Sequence, residues 1–173
     1  IKQNKKKKFI KKYIIYIDSG GPYFTGDTQL KGNRLPDNDI KKYYYDLNIF
    51  FNKIEKYFKA KVIVIPHQKY KSSNTKKIKS FNPYFNNRIV NNDYDALAKL
   101  SPNCLFFIEG QGSLALSYAI IYYKPVIHIY SSKSLYEREE FESISKQAKN
   151  FGNKLFDISA VNKKKNNEKS YDK

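Results

Sequence analysis

Four short runs of β-branched and aromatic residues restrict what this chain can become. They are Tyr13-Ile-Ile-Tyr-Ile17, Val62-Ile-Val-Ile65, Cys104-Leu-Phe-Phe-Ile108 and Val126-Ile-His-Ile-Tyr130. A strand with one wet face alternates apolar and polar residues, whereas these runs are apolar almost throughout. Both of their faces therefore need cover, which is the condition of strands inside a parallel sheet. Leu155-Phe-Asp-Ile158 predicts a fifth, short strand.

The stretches between the runs supply the cover. A helix is predicted from Asp37 or Asp39, both good caps. Ile40, Tyr43, Tyr44, Leu47, Phe50, Phe51, Ile54 and Phe58 recur at three- and four-residue spacing and make one apolar face. Further helices are predicted over 94–100 with Asp93 as cap, over 113–123 up to Lys124-Pro125, and over 135–149. Residues 18–37 and 67–92 read as two long loops. Such loops are often functional. Strands alternating with helices imply right-handed βαβ units and a mostly parallel sheet.

The net charge of +17 invites a nucleic-acid reading. Its distribution argues against one. Residues 1–12 carry seven Lys and no acid, and residues 161–173 carry five Lys against one Glu and one Asp. More than half of the excess lies in these two short ends. Only three of the 33 basic residues are Arg, the side chain best suited to bidentate phosphate and base contacts. Nucleic acid is not expected as a partner. A basic arm (1–12), one domain (13–160) and a disordered Lys/Asn-rich tail (161–173) are expected. The polybasic ends suit peripheral contact with an anionic membrane. The chain begins at Ile1 and lacks Met, which predicts a fragment or processed piece. The longest nearly apolar stretch, Leu114 to Tyr123, is too short for a membrane span, and no signal peptide is evident. The single Cys104 excludes a disulfide framework and fits a reducing compartment.

In parallel α/β sheets, ligands bind beyond the carboxyl ends of the strands. That rule selects Asp18, His67, Glu109 to Ser113 and Ser131. Gly110-Gln111-Gly112-Ser113 stands between a strand and a helix, where free amides and a hydroxyl suit a phosphate. An ordinary tight turn with a Ser cap is the plain alternative. His67 could contact a phosphate or move a proton, and Lys69 could neutralise charge. Asp18 is a candidate general base or ribose ligand, or simply a turn former. Arg88 could clamp a phosphate or sit on the surface. His128 lies inside a strand run and reads as a core histidine with its hydrogen bonds satisfied. No metal site is predicted, because two distant His and one Cys do not make a ligand set. A Ser-His-Asp hydrolase is disfavoured, since Ser113 lacks the following Gly of a nucleophile elbow.

The order of pieces carries a resemblance. It runs from Ile14-Ile-Tyr-Ile-Asp18 through Tyr43–Lys56, Lys61-Val-Ile-Val-Ile-Pro-His-Gln-Lys69 and Asn87-Arg88. Gly110-Gln-Gly-Ser-Leu-Ala-Leu-Ser-Tyr-Ala119 and Lys124-Pro-Val-Ile127 complete it. Over about residues 13–132 the chain resembles the C-terminal, donor-binding half of bacterial capsule and lipopolysaccharide glycosyltransferases of the GT-B type. These are distantly similar to bacterial sialyltransferases.

The resemblance implies a Rossmann-like, doubly wound α/β fold and a nucleotide-sugar substrate with no further cofactor. It also implies a glycan or lipid-linked acceptor, and a place in the cytoplasm or at the inner face of the membrane. By position, it implicates His67, Gly112 and Ser113, with Ser117 and Arg88, in holding the donor. The catalytic base of such enzymes often comes from the other domain, and Asp18 is the alternative here. Gln68 stands where Pro is usual, and Gly110-Gln111-Gly112 replaces a turn that often carries His. These departures keep a non-catalytic nucleotide-sugar-binding module open, as does a sugar-nucleotide epimerase of similar fold.

Overall fold

The computed structural model describes residues 12–18, 37–66, 82–110, 116–133 and 135–162. Its strands are β1 (Tyr13–Ile17), β2 (Lys61–Ile65), β3 (Ile89–Val90), β4 (Phe107–Glu109), β5 (Val126–Tyr130) and β6 (Leu155–Asp157). The helices described with them are α1 (Asp37–Phe58), α2 (Ala96–Leu100), α3 (Leu116–Ile121) and α4 (Leu135–Asn150). The strands form one all-parallel sheet in the order β3-β2-β1-β4-β5-β6. This is the order of Rossmann-like, doubly wound α/β folds.

The central position of β1 explains its composition. It pairs with β2 from Tyr13–Lys61 to Ile17–Ile65, and with β4 from Ile15–Phe107 to Ile17–Glu109. Successive side chains point to opposite faces, and Ile14, Ile15 and Tyr16 are all fully buried. On one face Ile14, Tyr16, Val62, Val64, Ile108 and Ile129 meet Tyr43, Tyr44, Leu47, Phe50 and Phe51 of α1. On the other, Ile15, Ile17, Ile65, Phe107 and Val126 meet Ala96 of α2 and Leu116 and Ala119 of α3. Ring contacts of Tyr130 with Phe141 and of His128 with Phe151 bring α4 and its C-terminal turn to that second face. Of the apolar face expected for α1, Phe58 alone is largely exposed, and it packs edge-on against Phe106 at 4.9 Å.

Helices α1, α3 and α4 end in a shared way. Ala60 N–H donates to the Glu55 carbonyl at 3.2 Å, Lys124 N–H to Ala119 at 2.8 Å and Asn153 N–H to Ala148 at 2.8 Å. The residue before each donor has positive φ: Lys59 at 50°, Tyr123 at 51° and Gly152 at 66°. This is a Schellman closure, in which glycine carries no steric penalty. Lys59 and Tyr123 keep a β-carbon there, at a cost of about 1 kcal/mol each.

Three differences from the sequence reading have physical causes. Ile89–Val90 is a strand inside the stretch 67–92, which reads as one loop. It is a two-residue edge strand with Ile89 62% exposed, so it has no buried run to betray it. β4 is Phe107–Glu109 rather than 104–108. The chain joins β1 earlier, through Leu105 N–H to the Tyr13 carbonyl at 2.9 Å, and regular pairing then runs on through Glu109. Helix α2 starts at Ala96, and Asp93 contributes its carbonyl to Ala96 N–H at 3.1 Å. Residues 1–11, 19–36 and 163–173 lie outside the described residues, including nearly all of the expected arm and tail.

Arg88 joins three elements at the amino end of the sheet. Its Nη1 donates to Asn48 Oδ1 at 2.6 Å and to the Phe85 carbonyl at 3.1 Å. Its Nη2 donates to Asn52 Oδ1 at 2.5 Å and pairs with Glu55 Oε2 at 3.0 Å. The guanidinium lies 5.1 Å from the Phe51 ring centroid. Glu55 Oε1 in turn accepts from Val62 N–H at 2.8 Å. α1 is thereby fastened to both β2 and the turn before β3. Arg88→Ala should lower the unfolding free energy by about 2–3 kcal/mol, because Glu55 loses its counter-charge in a mostly buried site. Arg88→Lys should recover only a minor part, since one ammonium cannot reproduce the planar fork. Urea denaturation measures both; a loss below about 0.5 kcal/mol for Arg88→Ala contradicts the bracing role.

Candidate functional site at the strand carboxyl ends

The strand order reverses direction between β1 and β4. At such a switch point the connections on either side diverge and leave a crevice at the carboxyl ends. Asp18 follows β1 directly, is buried, and donates its backbone N–H to the Ile65 carbonyl at 2.9 Å. Ile17 is the register partner of Glu109, so Asp18 and Gly110 are the next residues beyond that pair. Glu109 and Gly110 are both buried. Buried Pro66 ends β2, and buried Ser131 ends β5. Parallel pairing alone brings these residues to one edge, because every strand runs the same way.

The expected site residues are placed as follows. Asp18 and Gly110 flank the switch point. His67, Lys69, Gln111, Gly112 and Ser113 lie outside the described residues. Ser117 is exposed on the first turn of α3. Arg88 precedes β3 and therefore sits at the opposite, amino end of the sheet, where its side chain is 93% buried in the contacts described above.

Two features here go beyond the sequence reading: a latch it did not foresee, and the neighbour of a histidine it read as core. The first is a latch between the ends of β5 and β6. Asp157 Oδ1 accepts from Ser132 N–H at 3.2 Å, Ser159 N–H at 2.9 Å and the Ser159 hydroxyl at 2.7 Å. Its Oδ2 accepts from the Ser132 hydroxyl at 2.6 Å. Burial pushes the Asp157 carboxyl up, but these Ser132 and Ser159 hydrogen bonds outweigh it and hold the group below its usual range. The Asp157-Ile-Ser159 spacing is a turn signature, but Ser132 lies 25 residues away and only the fold joins them.

The second is His128. It is the register partner of Glu109, so both side chains leave the same face of adjacent strands. Both are fully buried, as expected for a core histidine. Neither ring nitrogen has a hydrogen-bond partner among the described residues, so the ring is buried as the sequence suggests but not satisfied there. Desolvation pulls the imidazole below its ordinary value.

The arrangement offers buried carboxylates and a glycine that permits close backbone approach beside the switch point, with a buried histidine on the next strand. Among the described residues no group of three or more His, Cys, Asp or Glu is placed to hold a metal. No described helix is long and apolar enough to cross a membrane. No family model matches the chain, and comparison with curated proteins and with solved structures finds no match.

The state of His128 predicts an acid sensitivity. The folded form favours neutral imidazole, whereas the unfolded chain binds a proton near pH 6.5. Stability from this group is therefore level above pH 6.5 and falls as the pH drops below it. Thermal unfolding between pH 7.5 and 5 should show that loss, and His128→Leu should flatten it whatever its effect at pH 7.5. An unchanged slope in the variant contradicts the assignment.

Proposed function

We propose that the chain binds a nucleotide-sugar, as the donor-binding half of a GT-B-type glycosyltransferase that builds a surface polysaccharide or lipopolysaccharide. The observation that carries this reading is the doubly wound strand order, with Asp18 and Glu109–Gly110 meeting at the β1–β4 switch point. Such a crevice is where open α/β sheets take nucleotides. The order of motifs in the sequence adds a second, independent support.

In this proposal the amides of Gly110 to Ser113 and the Ser113 hydroxyl hold the donor phosphates. His67 contacts the nucleotide or a phosphate, and Lys69 adds positive charge. Ser117 is a lesser contact. Asp18 is the candidate base on this chain, and it acts on an acceptor hydroxyl brought to the crevice mouth. Arg88 is left out, because it lies at the far end of the sheet and its terminal nitrogens already serve Asn48, Asn52, Glu55 and Phe85. A glycan or lipid-linked acceptor at the inner face of the cytoplasmic membrane completes the proposal.

Titration calorimetry with CDP, CMP and UDP sugars tests it. One of these should bind with a dissociation constant below about 1 mM. Ser113→Ala and His67→Ala should each weaken it about tenfold, the value of one charge-assisted hydrogen bond. No binding at millimolar concentration, or binding that both variants leave unchanged, overturns the donor site. Release of free sugar or transfer to an acceptor separates a transferase from a binding module. Conversion of the donor with no acceptor present would instead indicate an epimerase.

A further inference from the structure

The amino end of the sheet carries chemistry of its own. An open concavity of about 480 Å³ is lined by Lys12, Asn52, Glu55, Lys56, Lys59, Ala60 and Lys61. It brings together the approach to β1, the start of β2 and the last two turns of α1. Lys61 N–H donates to the Lys12 carbonyl at 3.1 Å, which fixes two of the lysines as neighbours on adjacent strands. Lys56 and Lys59 project from the end of α1, one turn apart.

The charge of this concavity is not balanced locally. Glu55 is the one acid in the lining, and both of its oxygens are committed, to Arg88 and to Val62 N–H. None of the four lysines forms an ion pair with a described carboxylate; Arg88–Glu55 and Lys99–Asp95 are the pairs among the described residues. The carboxyl end of α1 supplies only about half a negative charge. Four lysines therefore line one hollow whose single acid is already committed. Lys59 also keeps its cation at a left-handed position, φ 50°, where α4 uses Gly152. Such a concentration of positive charge in a concave site focuses the field and favours a multivalent anion.

We propose that this lysine concavity is a second binding site, for an anion carrying two or more phosphates. It lies at the opposite end of the sheet from the crevice and does not depend on the donor-site reading. The chemistry is shared by a free polyphosphate and by the headgroups of an anionic lipid surface. The flexible ammonium groups suit phosphate as point charges and require no fixed fork. The hollow lies within the size range of small-ligand sites.

The test uses the full chain in low salt with two probes, inorganic tripolyphosphate and phosphatidylglycerol vesicles. The site variant is Lys56→Gln/Lys59→Asn/Lys61→Gln, with Asn chosen because it tolerates the left-handed backbone. The control removes the same charge at the far edge of the sheet, by Lys146→Gln/Lys149→Gln/Lys154→Gln, all exposed positions. The site variant should weaken at least one probe by about tenfold or more, while the control stays within about twofold. Selective loss of tripolyphosphate identifies a free anion, and selective loss of vesicle binding identifies a lipid headgroup. Lys59→Asn and Lys61→Gln alone should each give part of the loss. No binding of either probe, or equal loss in site and control variants, overturns the proposal, since the affinity would then follow net charge alone.

Discussion

Burial of β1 on both faces is the constraint from which the rest of the architecture follows. Ile14 and Tyr16 point one way and Ile15 and Ile17 the other, and none can be left in water. Apolar burial of this kind stabilises by roughly 25 cal/mol per Å² removed from solvent. It can be satisfied only if helices lie on both sides of the sheet. With right-handed crossovers, helices on opposite faces mean that the chain winds outward from β1 in two directions. The crevice between β1 and β4 is the geometrical consequence. The position proposed for the site therefore follows from the core.

Parallel strands also give the molecule two chemically different ends. Among the described residues, the carboxyl end holds Asp18, Glu109, Gly110, Ser131 and the Asp157 latch, mostly acidic or neutral and largely buried. At the amino end lie Arg88, Glu55 and four lysines around an open hollow. The Arg88–Glu55 contact does more there than brace α1. By occupying the one carboxylate in the lining, it leaves the lysines without a local counter-charge. A bracing ion pair and a basic surface thus arise from the same few residues. Tyr57 and Phe58 stand on the same last turn of α1, partly open to solvent, and add apolar surface beside the charge.

Much of this was legible in the residues themselves. The apolar runs marked β1, β2 and β5, because strands covered on both sides cannot alternate. The spacing from Ile40 to Ile54 marked α1. What was not legible depends on neighbours far away in sequence. β3 is two residues at an edge and leaves no hydrophobic trace. Arg88 announces a charge, but its partners Asn48, Asn52 and Glu55 lie 33 to 40 residues back on α1. Glu109 and His128 become adjacent only once β4 and β5 pair in register. Of the candidate site, strand polarity placed Asp18 and Gly110 correctly at one edge, whereas His67, Lys69 and Gln111 to Ser113 fall outside the described residues.

The central claim is that the β1–β4 switch point is the nucleotide crevice. Amide chemical-shift mapping during titration with CMP and UMP, which carry one phosphate each, tests it most directly. The account predicts shifts concentrated at residues 18, 66–69, 109–113 and 131, with the amino-end residues 52–61 little changed. Shifts confined to the amino end, or spread without preference over the surface, would contradict it.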